Sequence, residues 1–195
     1  MTSDKKTNIS RICLVLGLLL VIASVCLIVV RFVSLGGNSQ RNDEYADIIG
    51  SIIPTPRPAV LEERTDNTMP SLNIDGNDFC ALIEMPAYGA RLPVGSGWIK
   101  NAYFPCRFDG YAYDRSMIIG TSNAAGQFDF VKQISVGDSV YLTDMLGNRF
   151  SYAVSDIKYH EHAEGDAIYS DTADLVIFVK NVYDFEYIML YCNAR

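Results

Sequence analysis

The sequence has little positive charge once its first 31 residues are set aside. The whole chain of 195 residues contains 16 Lys and Arg against 23 Asp and Glu. Without the charged residues of the N-terminal segment (Lys5, Lys6, Arg11, Arg31 and Asp4), 12 basic and 22 acidic residues remain, a net charge of -10. Proteins that bind nucleic acid neutralise phosphates with clustered Lys and Arg. The acidic remainder therefore excludes nucleic acid as an expected partner.

Cysteine is also scarce. Only Cys80, Cys106 and Cys192 lie beyond the N-terminal segment. Three thiols permit at most one internal disulfide, and the sequence leaves the pairing open. Their spacing matches no zinc ribbon or Cys-x-x-Cys motif. Cys80 and Cys192 fall in predicted strands, where we expect a buried or bridged side chain. Cys106 follows Phe104-Pro105 in an irregular stretch, so we expect it to be more exposed and take it as the candidate reactive thiol.

Histidine occurs at two positions, His160 and His162. On an extended strand these two side chains would point to the same face and could share a zinc or nickel ion. No third ligand is identifiable, so they are weak metal candidates and a solvated polar loop is the favoured interpretation. The chain also has no glycine-rich phosphate loop and no Gly-x-Ser-x-Gly motif. We expect no metal and no cofactor.

One segment has no charge at all. Residues 12–30 are a run of 19 uncharged, mainly apolar residues, and as a helix they would measure about 28 Å, close to the thickness of a bilayer core. We therefore predict a cytoplasmic tail over residues 1–11 and a transmembrane helix over residues 12–31. Basic residues precede the run, so the positive-inside rule exports the remainder and makes the protein a single-pass cell-membrane protein. A cleavable signal peptide is the alternative, but its apolar core would be shorter.

The segment that follows has the composition of a linker. Residues 32–76 are rich in Gly, Ser, Asn, Pro and charge, and we predict an extracytoplasmic tether. A short helix over residues 44–53 is compatible with the sequence, because apolar side chains recur there at helical spacing. These are Tyr45, Ile48, Ile49 and Ile52.

Residues 77–195 have the length of one domain, and their pattern is mainly β. Short apolar runs alternate with turn signals, as in antiparallel strands that close a barrel or form a sandwich. Residues 146–148, between two such runs, predict a hairpin. Phe128, Val131 and Ile134 are three apart and predict one or two helical turns. The predicted strands are residues 80–85, 90–93, 117–119, 140–142, 150–157, 175–179 and 187–192.

The order of motifs in residues 79–192 resembles the sortases, the membrane-tethered cysteine transpeptidases of Gram-positive cell surfaces. Residues 79–86 and 92–94 resemble the family's first two strands, where an apolar strand ends in Ile-Pro and the next contains Leu-Pro-Val; Met85 replaces the Ile. Residues 116–120 are similar to the strand that leads into the family's Gly-His, and residues 128–154 to its short helix, Gly-Asp strand start and hairpin. The resemblance implies a sortase-like closed β-barrel with short helices.

Sortase chemistry uses a Cys nucleophile, a His that protonates the leaving amine and an Arg that stabilises the oxyanion. Against that pattern the sequence has Thr121 at the His position and Glu186 at the Arg position. The Cys position falls on Val179, or on Lys180 if the register moves by one. Threonine is no acid near neutral pH, valine is no nucleophile, and a carboxylate repels an oxyanion. These substitutions predict a sortase-like scaffold without sortase chemistry.

Aromatic residues are frequent between residues 98 and 113. Lining a groove for a peptide or glycan is one role for such side chains, and covering one end of a small barrel is the other and favoured one. The binding candidates are Trp98, Tyr103, Phe104, Tyr111 and Tyr113.

The predicted function is that of a membrane-anchored, catalytically inactive sortase-like protein. It would bind a protein or a sorting-signal-like peptide at a Gram-positive cell surface. One alternative is an active, divergent cysteine transpeptidase or peptidase with a displaced nucleophile such as Cys106. The other is a structural spacer or assembly module without a ligand.

Overall fold

The computed structural model describes residues 3–60, 66–124, 126–162, 168–170, 172–182, 184 and 186–195, and the side chains of all of these except 3–13 and 31–36. The chain divides into two compact units, residues 1–37 and residues 38–195.

Helix α1 comprises Ser3–Ile52. Its residues up to Gly37 belong to the first unit. The large apolar side chains between residues 14 and 30 are exposed on every side of this helix, by 50% to 72%. Within the described part of the chain, no helix is long and apolar enough to span a bilayer, and the membrane-spanning helix predicted over residues 12–31 is not found there.

The second unit begins with the last turns of α1, residues 38–52. Tyr45 and Ile49 are buried against the barrel, as their helical spacing predicts, while Ile52 is 56% exposed. The helix ends two residues before Pro54, because a proline disfavours helical backbone in the residue before it. Part of the segment predicted as a tether is thus a helix packed on the domain.

The described residues of the second unit form ten strands and three short 3-10 helices. The strands are β1 Arg57–Pro58, β2 Leu72–Ile74, β3 Asn77–Met85, β4 Ala90–Gly95, β5 Cys106–Asp109, β6 Met117–Ser122, β7 Ser139–Asp144, β8 Asn148–His160, β9 Leu175–Lys180 and β10 Tyr187–Ala194. The 3-10 helices are Pro86–Tyr88, Ala112–Asp114 and Val131–Gln133.

Eight of these strands close into a barrel in the order β3, β4, β5, β6, β9, β10, β8, β7 and back to β3. β1 adds to β8 and β2 adds to β3. The predicted hairpin is β7–β8, and its turn contains Gly147 at φ 80°, a left-handed conformation that favours glycine. The closed, mainly β barrel with short helices is confirmed.

Side chains on the strands alternate between the barrel interior and its outer face. On β6, Met117 and Ile119 belong to the interior core, while Ile118 faces outward. Both faces are apolar because a second layer covers the outside of β6, β9 and β10. We call this layer the outer-face cluster; it consists of Ile118, Ile168, Ala173, Val176, Phe178, Met189 and Tyr191, with Phe108 and Tyr187 packed against it.

Strand β5 was not predicted from the sequence. It has four residues, and only its first, Cys106, is buried. β5 pairs with β4 through a single residue pair, Gly95 and Cys106. So short a strand gives no run of alternating apolar residues, and its position is set by its pairing with β6.

A buried carboxylate organises the start of the β7–β8 hairpin. Asp144 is fully buried and accepts hydrogen bonds from the backbone amides of Leu146 and Asn148 at 2.9 and 2.8 Å. The Asn148 amide nitrogen donates to it at 3.0 Å, and the Tyr113 hydroxyl donates to the same Oδ2 atom. These donors satisfy a charge that would otherwise be costly to bury.

Tyr113→Phe removes one of these donors. We expect the free energy of unfolding to fall by about 1–3 kcal/mol, because a buried acceptor loses a partner. Urea unfolding of the full chain in detergent, followed by circular dichroism, measures the change. The control is Tyr159→Phe, at a side chain that is 58% exposed. Equal stability of the two variants would contradict this account of Asp144.

Candidate functional site

The parallel pairing of β6 with β9 brings together Thr121 and Val179, the residues that the resemblance in sequence sets at the sortase His and Cys positions. Thr121 and Val179 are direct partners in this pairing, although 58 residues of chain separate them. Side chains of paired residues in neighbouring strands lie on the same face of a sheet. Thr121 and Val179 therefore both lie on the inner side, at the end of the barrel.

Thr121 is buried and its hydroxyl is occupied. It donates to the side-chain oxygen of Gln127 at 2.9 Å. The same oxygen accepts from the Ser122 backbone amide at 3.3 Å, and the Gln127 amide nitrogen donates to the Ala102 carbonyl at 3.3 Å. Thr121 and Gln127 are only 7% and 6% exposed. Gln127 therefore caps Thr121, the residue that the resemblance in sequence sets at the sortase histidine position.

Two asparagines lie directly after the paired strands. Asn123 donates through its amide nitrogen to the side-chain oxygen of Asn181 at 2.8 Å, and both are buried. The Asn123 oxygen in turn accepts from the Val182 backbone amide at 2.8 Å. The asparagine pair continues the β6–β9 contact beyond the last backbone pairing and closes the end of the sheet.

Glu186 lies next to this pair, just before β10. Its carboxylate accepts a hydrogen bond from Asn181 at 3.2 Å. Asn181 also donates to Asp184 at 2.8 Å, and the Lys132 ammonium lies 2.7 Å from the same Asp184 oxygen. The hydrogen bond from Lys132 lowers the pKa of Asp184. Glu186, which the resemblance in sequence sets at the sortase arginine position, thus lies among carboxylates and amides with one exposed lysine nearby.

The two possible registers for the sortase cysteine differ in exposure. Val179 is fully buried in the interior core, while Lys180 is exposed. Neither side chain is a thiol. The three positions taken from the sequence thus hold a capped hydroxyl, an isopropyl group or an ammonium, and a carboxylate. This set provides no thiolate, no imidazole and no guanidinium.

The cysteines of the barrel lie elsewhere and are buried. Cys80, Cys106 and Cys192 are free thiols with 1% exposure or less. Burial raises the pKa of Cys80 and Cys192 to about 12 and also raises that of Cys106. The expected burial of Cys80 and Cys192 agrees with the structure. The expected exposure of Cys106 is wrong, because Cys106, the paired first residue of β5, is buried in the cluster that also contains Tyr45, Phe79 and Phe104.

The two histidines do not share a strand face. β8 ends at His160, and His162 lies two residues beyond it in a bend. The alternation that would have pointed both side chains to one face therefore stops between them. Among the residues whose placement is described, no group of three potential metal ligands occurs.

The aromatic candidates separate into three places. Trp98 is 45% exposed and packs edge-on against Phe108 at 5.4 Å and tilted against Phe178 at 5.5 Å, on the outer-face cluster. Tyr103 and Phe104 pack with Phe79 and the end of α1. Tyr111 stacks under Arg107, and Tyr113 is buried beside Asp144. These side chains do not line one common groove.

Gly120 explains how Trp98 approaches the sheet. A Cβ atom at this position would lie 2.3 Å from both Phe178 Cζ and Trp98 Cζ3. The two rings therefore lie on the β6 backbone itself, next to Thr121.

Gln127, Asn123 and Asn181 were not predicted from the sequence. Each asparagine directly follows the end of an observed strand, Asn123 after Ser122 of β6 and Asn181 after Lys180 of β9. The predicted strands end at residues 119 and 179, at different distances from the two asparagines, so no common offset in the sequence points to the pair. No sequence signal identifies Gln127, which lies in a loop.

Three solved structures are similar to this chain. A sortase A from Corynebacterium diphtheriae has a TM-score of 0.54 and 15% identity, covering 85% of this chain and 84% of that one. This chain has the sortase fold. A sortase C from Clostridium perfringens SM101 has a TM-score of 0.52 and 16% identity, covering 83% and 88%. A Clostridium perfringens sortase D5 transpeptidase has a TM-score of 0.51 and 15% identity, covering 61% and 81%. No protein-family model and no curated protein matches the sequence.

Gly120→Ala tests the packing of the sortase-fold wall at Trp98. The added methyl group must displace a ring, so we expect a red shift of Trp98 emission and a loss of about 1–3 kcal/mol in the free energy of unfolding. Trp98 is the only tryptophan of the chain, so its fluorescence is unambiguous. Gly97→Ala is the control, because a Cβ there meets nothing within 4 Å. Unchanged emission in Gly120→Ala would contradict the contact.

Proposed function

We propose that this protein is a catalytically inactive, sortase-like protein that presents its barrel, residues 77–195, to a protein or peptide partner at a Gram-positive cell surface. The observation that carries the proposal is the capped Thr121. Its hydroxyl is bonded to Gln127, and its strand partner Val179 is sealed in the core. A sorting-signal peptide would meet no nucleophile at this end of the barrel.

A divergent enzyme with a displaced nucleophile is the competing function. Cys106 is the only nucleophile the sequence nominated, and two features disfavour it. It is fully buried, and burial raises its pKa, so that little thiolate forms near neutral pH. Its thiol also lies within hydrogen-bonding distance of the Phe104 carbonyl, at 3.6 Å.

The proposed partner surface is the exposed rim of the outer-face cluster. Trp98 and Tyr169 expose 45% and 52% of their surface there, and Ile99, the next residue after Trp98, exposes 48%. Tyr169 is tied to the same region by a hydrogen bond from its hydroxyl to Asp109, at 3.0 Å. Exposed aromatic side chains on a rigid sheet are suited to contact a partner. A spacer or assembly module without a ligand remains the third possibility, and the crosslinking experiment below separates it.

A transpeptidation assay tests the absence of catalysis. The full chain in detergent is incubated with a library of sorting-signal peptides and an amine acceptor, beside an active sortase as positive control. We expect no turnover above background, because none of the three positions supplies the required group. Turnover that a thiol reagent abolishes would overturn the proposal, and its loss in Cys106→Ala would identify the displaced nucleophile.

Partner binding is tested in the same series by crosslinking on intact cells. A photoreactive residue replaces Ile99, and a matched probe replaces Val136, which is 64% exposed and lies outside the outer-face cluster. A discrete adduct at Ile99 alone supports a partner. Equal labelling or none at both positions supports the spacer.

We also propose a single-pass anchor at residues 12–30, with the N-terminus in the cytoplasm. The support is the absence of charge in this segment and the exposure of its apolar side chains around the helix. A helix that is apolar on all sides has no polar face for water. In this arrangement residues 32–195 lie outside the cell.

Membrane extraction tests the anchor. We expect the full chain to stay in the membrane pellet at alkaline pH, and added protease to digest the barrel on intact cells. A variant without residues 12–30 is the control, and it should move to the soluble fraction. A full chain that is released by alkaline washing would refute the anchor.

A further inference from the structure

The last turns of α1 contact the barrel along one stripe. We call residues 38–52 the strap. Asn42, Tyr45, Ala46 and Ile49 are the buried side chains of this stripe, each 4% exposed or less. The apolar members cover Phe79, Leu82 and Phe104 on the outside of the barrel. Spacing by three and four residues places all of them on one helix face.

Asn42 is the polar member of the stripe, and it joins two loops. Its amide nitrogen donates to the Tyr103 carbonyl at 2.7 Å and to the Gly126 carbonyl at 2.8 Å. Tyr103 lies between β4 and β5, and Gly126 lies after β6. The side chain is fully buried, and its oxygen has no hydrogen-bond partner among the described residues. The two donated bonds are therefore what keeps this polar group in an apolar contact.

The same two loops cap Thr121. Gln127 follows Gly126, Ala102 precedes Tyr103, and Gln127 donates to the Ala102 carbonyl at 3.3 Å. The same two loops are therefore connected in two ways. Asn42 of the strap bonds to both loops, and Gln127 of one loop bonds to Ala102 of the other. The Gln127 oxygen that is fixed in this way accepts the Thr121 hydroxyl.

Close approach of the strap depends on Gly126. Its φ is 78°, and a Cβ atom there would lie 2.4 Å from Ser39 Cα. Two further contacts reach Tyr103: the Tyr45 hydroxyl lies 3.4 Å from the Tyr103 hydroxyl, and the Arg41 guanidinium lies 5.3 Å from the Tyr103 ring. The contacts of Ser39, Arg41 and Asn42 thus reach the two loops, while the apolar side chains of the strap also cover strand β3.

We propose that the strap is a conformational device that controls the Thr121 end of the barrel. When the strap is docked, Asn42 holds the loops together and keeps Gln127 on Thr121. When the strap undocks, the loops lose their outer connection, Gln127 is released, and the Thr121 end opens. Asn42 is a positioning residue, because it acts on Thr121 only through the two loops.

Hydrogen exchange measured by mass spectrometry on the full chain in detergent tests the device. In Asn42→Ala, the partly buried Tyr103 and Gly126 carbonyls lose their donor, and we expect amides in residues 99–105 and 126–130 to exchange on the order of tenfold faster. Trp98 directly precedes the first of these segments, so its quenching by acrylamide should increase in parallel. The control is Asp47→Ala, which removes only an exposed strap contact, the 3.0 Å ion pair with Arg91.

Three outcomes would overturn the proposal. Faster exchange confined to the strap would show that the two loops stay together without Asn42. An equal increase throughout β6 and β9 would show general destabilisation instead of local opening. If Asn42→Ala does not fold, Asn42→Asp replaces it, since it keeps the volume of the side chain and removes both donors. Failure of both variants to fold where Asp47→Ala folds would make Asn42 a folding residue and not a positioning residue.

Discussion

The parallel contact between β6 and β9 is the constraint on which the rest of the domain depends. Six residue pairs join these strands, from Met117 with Leu175 to Ser122 with Lys180. Their inner side chains build the barrel core and their outer side chains build the outer-face cluster. Because the two segments are far apart in sequence, this contact closes a long stretch of chain that contains the β7–β8 hairpin. Thr121 and Val179 are neighbours for this reason alone.

Side-chain amides close the end of the barrel at Thr121. Asn123 and Asn181 are hydrogen-bonded to each other, Gln127 is hydrogen-bonded to the Thr121 hydroxyl, and Asn123 and Gln127 also bond to nearby backbone groups. An amide both donates and accepts, so a few such side chains can close a polar strand end without any charge. A carboxylate at Glu186 fits this setting as an acceptor for Asn181. The side chains of Thr121, Val179 and Glu186 thus fit the polar and apolar partners that surround them.

The sequence predicted the strands that carry apolar runs, because an apolar run is a local signal. The barrel was predicted from the order of the motifs along residues 79–192. Strand β5 was not predicted, because its position is set by its pairing with β6. Helical spacing predicted that Tyr45 and Ile49 share a face of a helix. It did not predict that this face packs on Phe79, Leu82 and Phe104. Cys106 was misjudged because an adjacent proline suggested an irregular, exposed stretch. The role of Gln127 could not be predicted, because its partners Thr121 and Ala102 meet it only in the folded structure.

The three thiols of the barrel have a consequence for where this domain can fold. Cys80, Cys106 and Cys192 are unbridged and lie within apolar packing. The stability of the barrel therefore comes from noncovalent contacts, and no cross-link limits the freedom of its unfolded chain. The native contacts of the barrel form without an oxidant, and a reducing agent breaks none of the contacts that these three residues make.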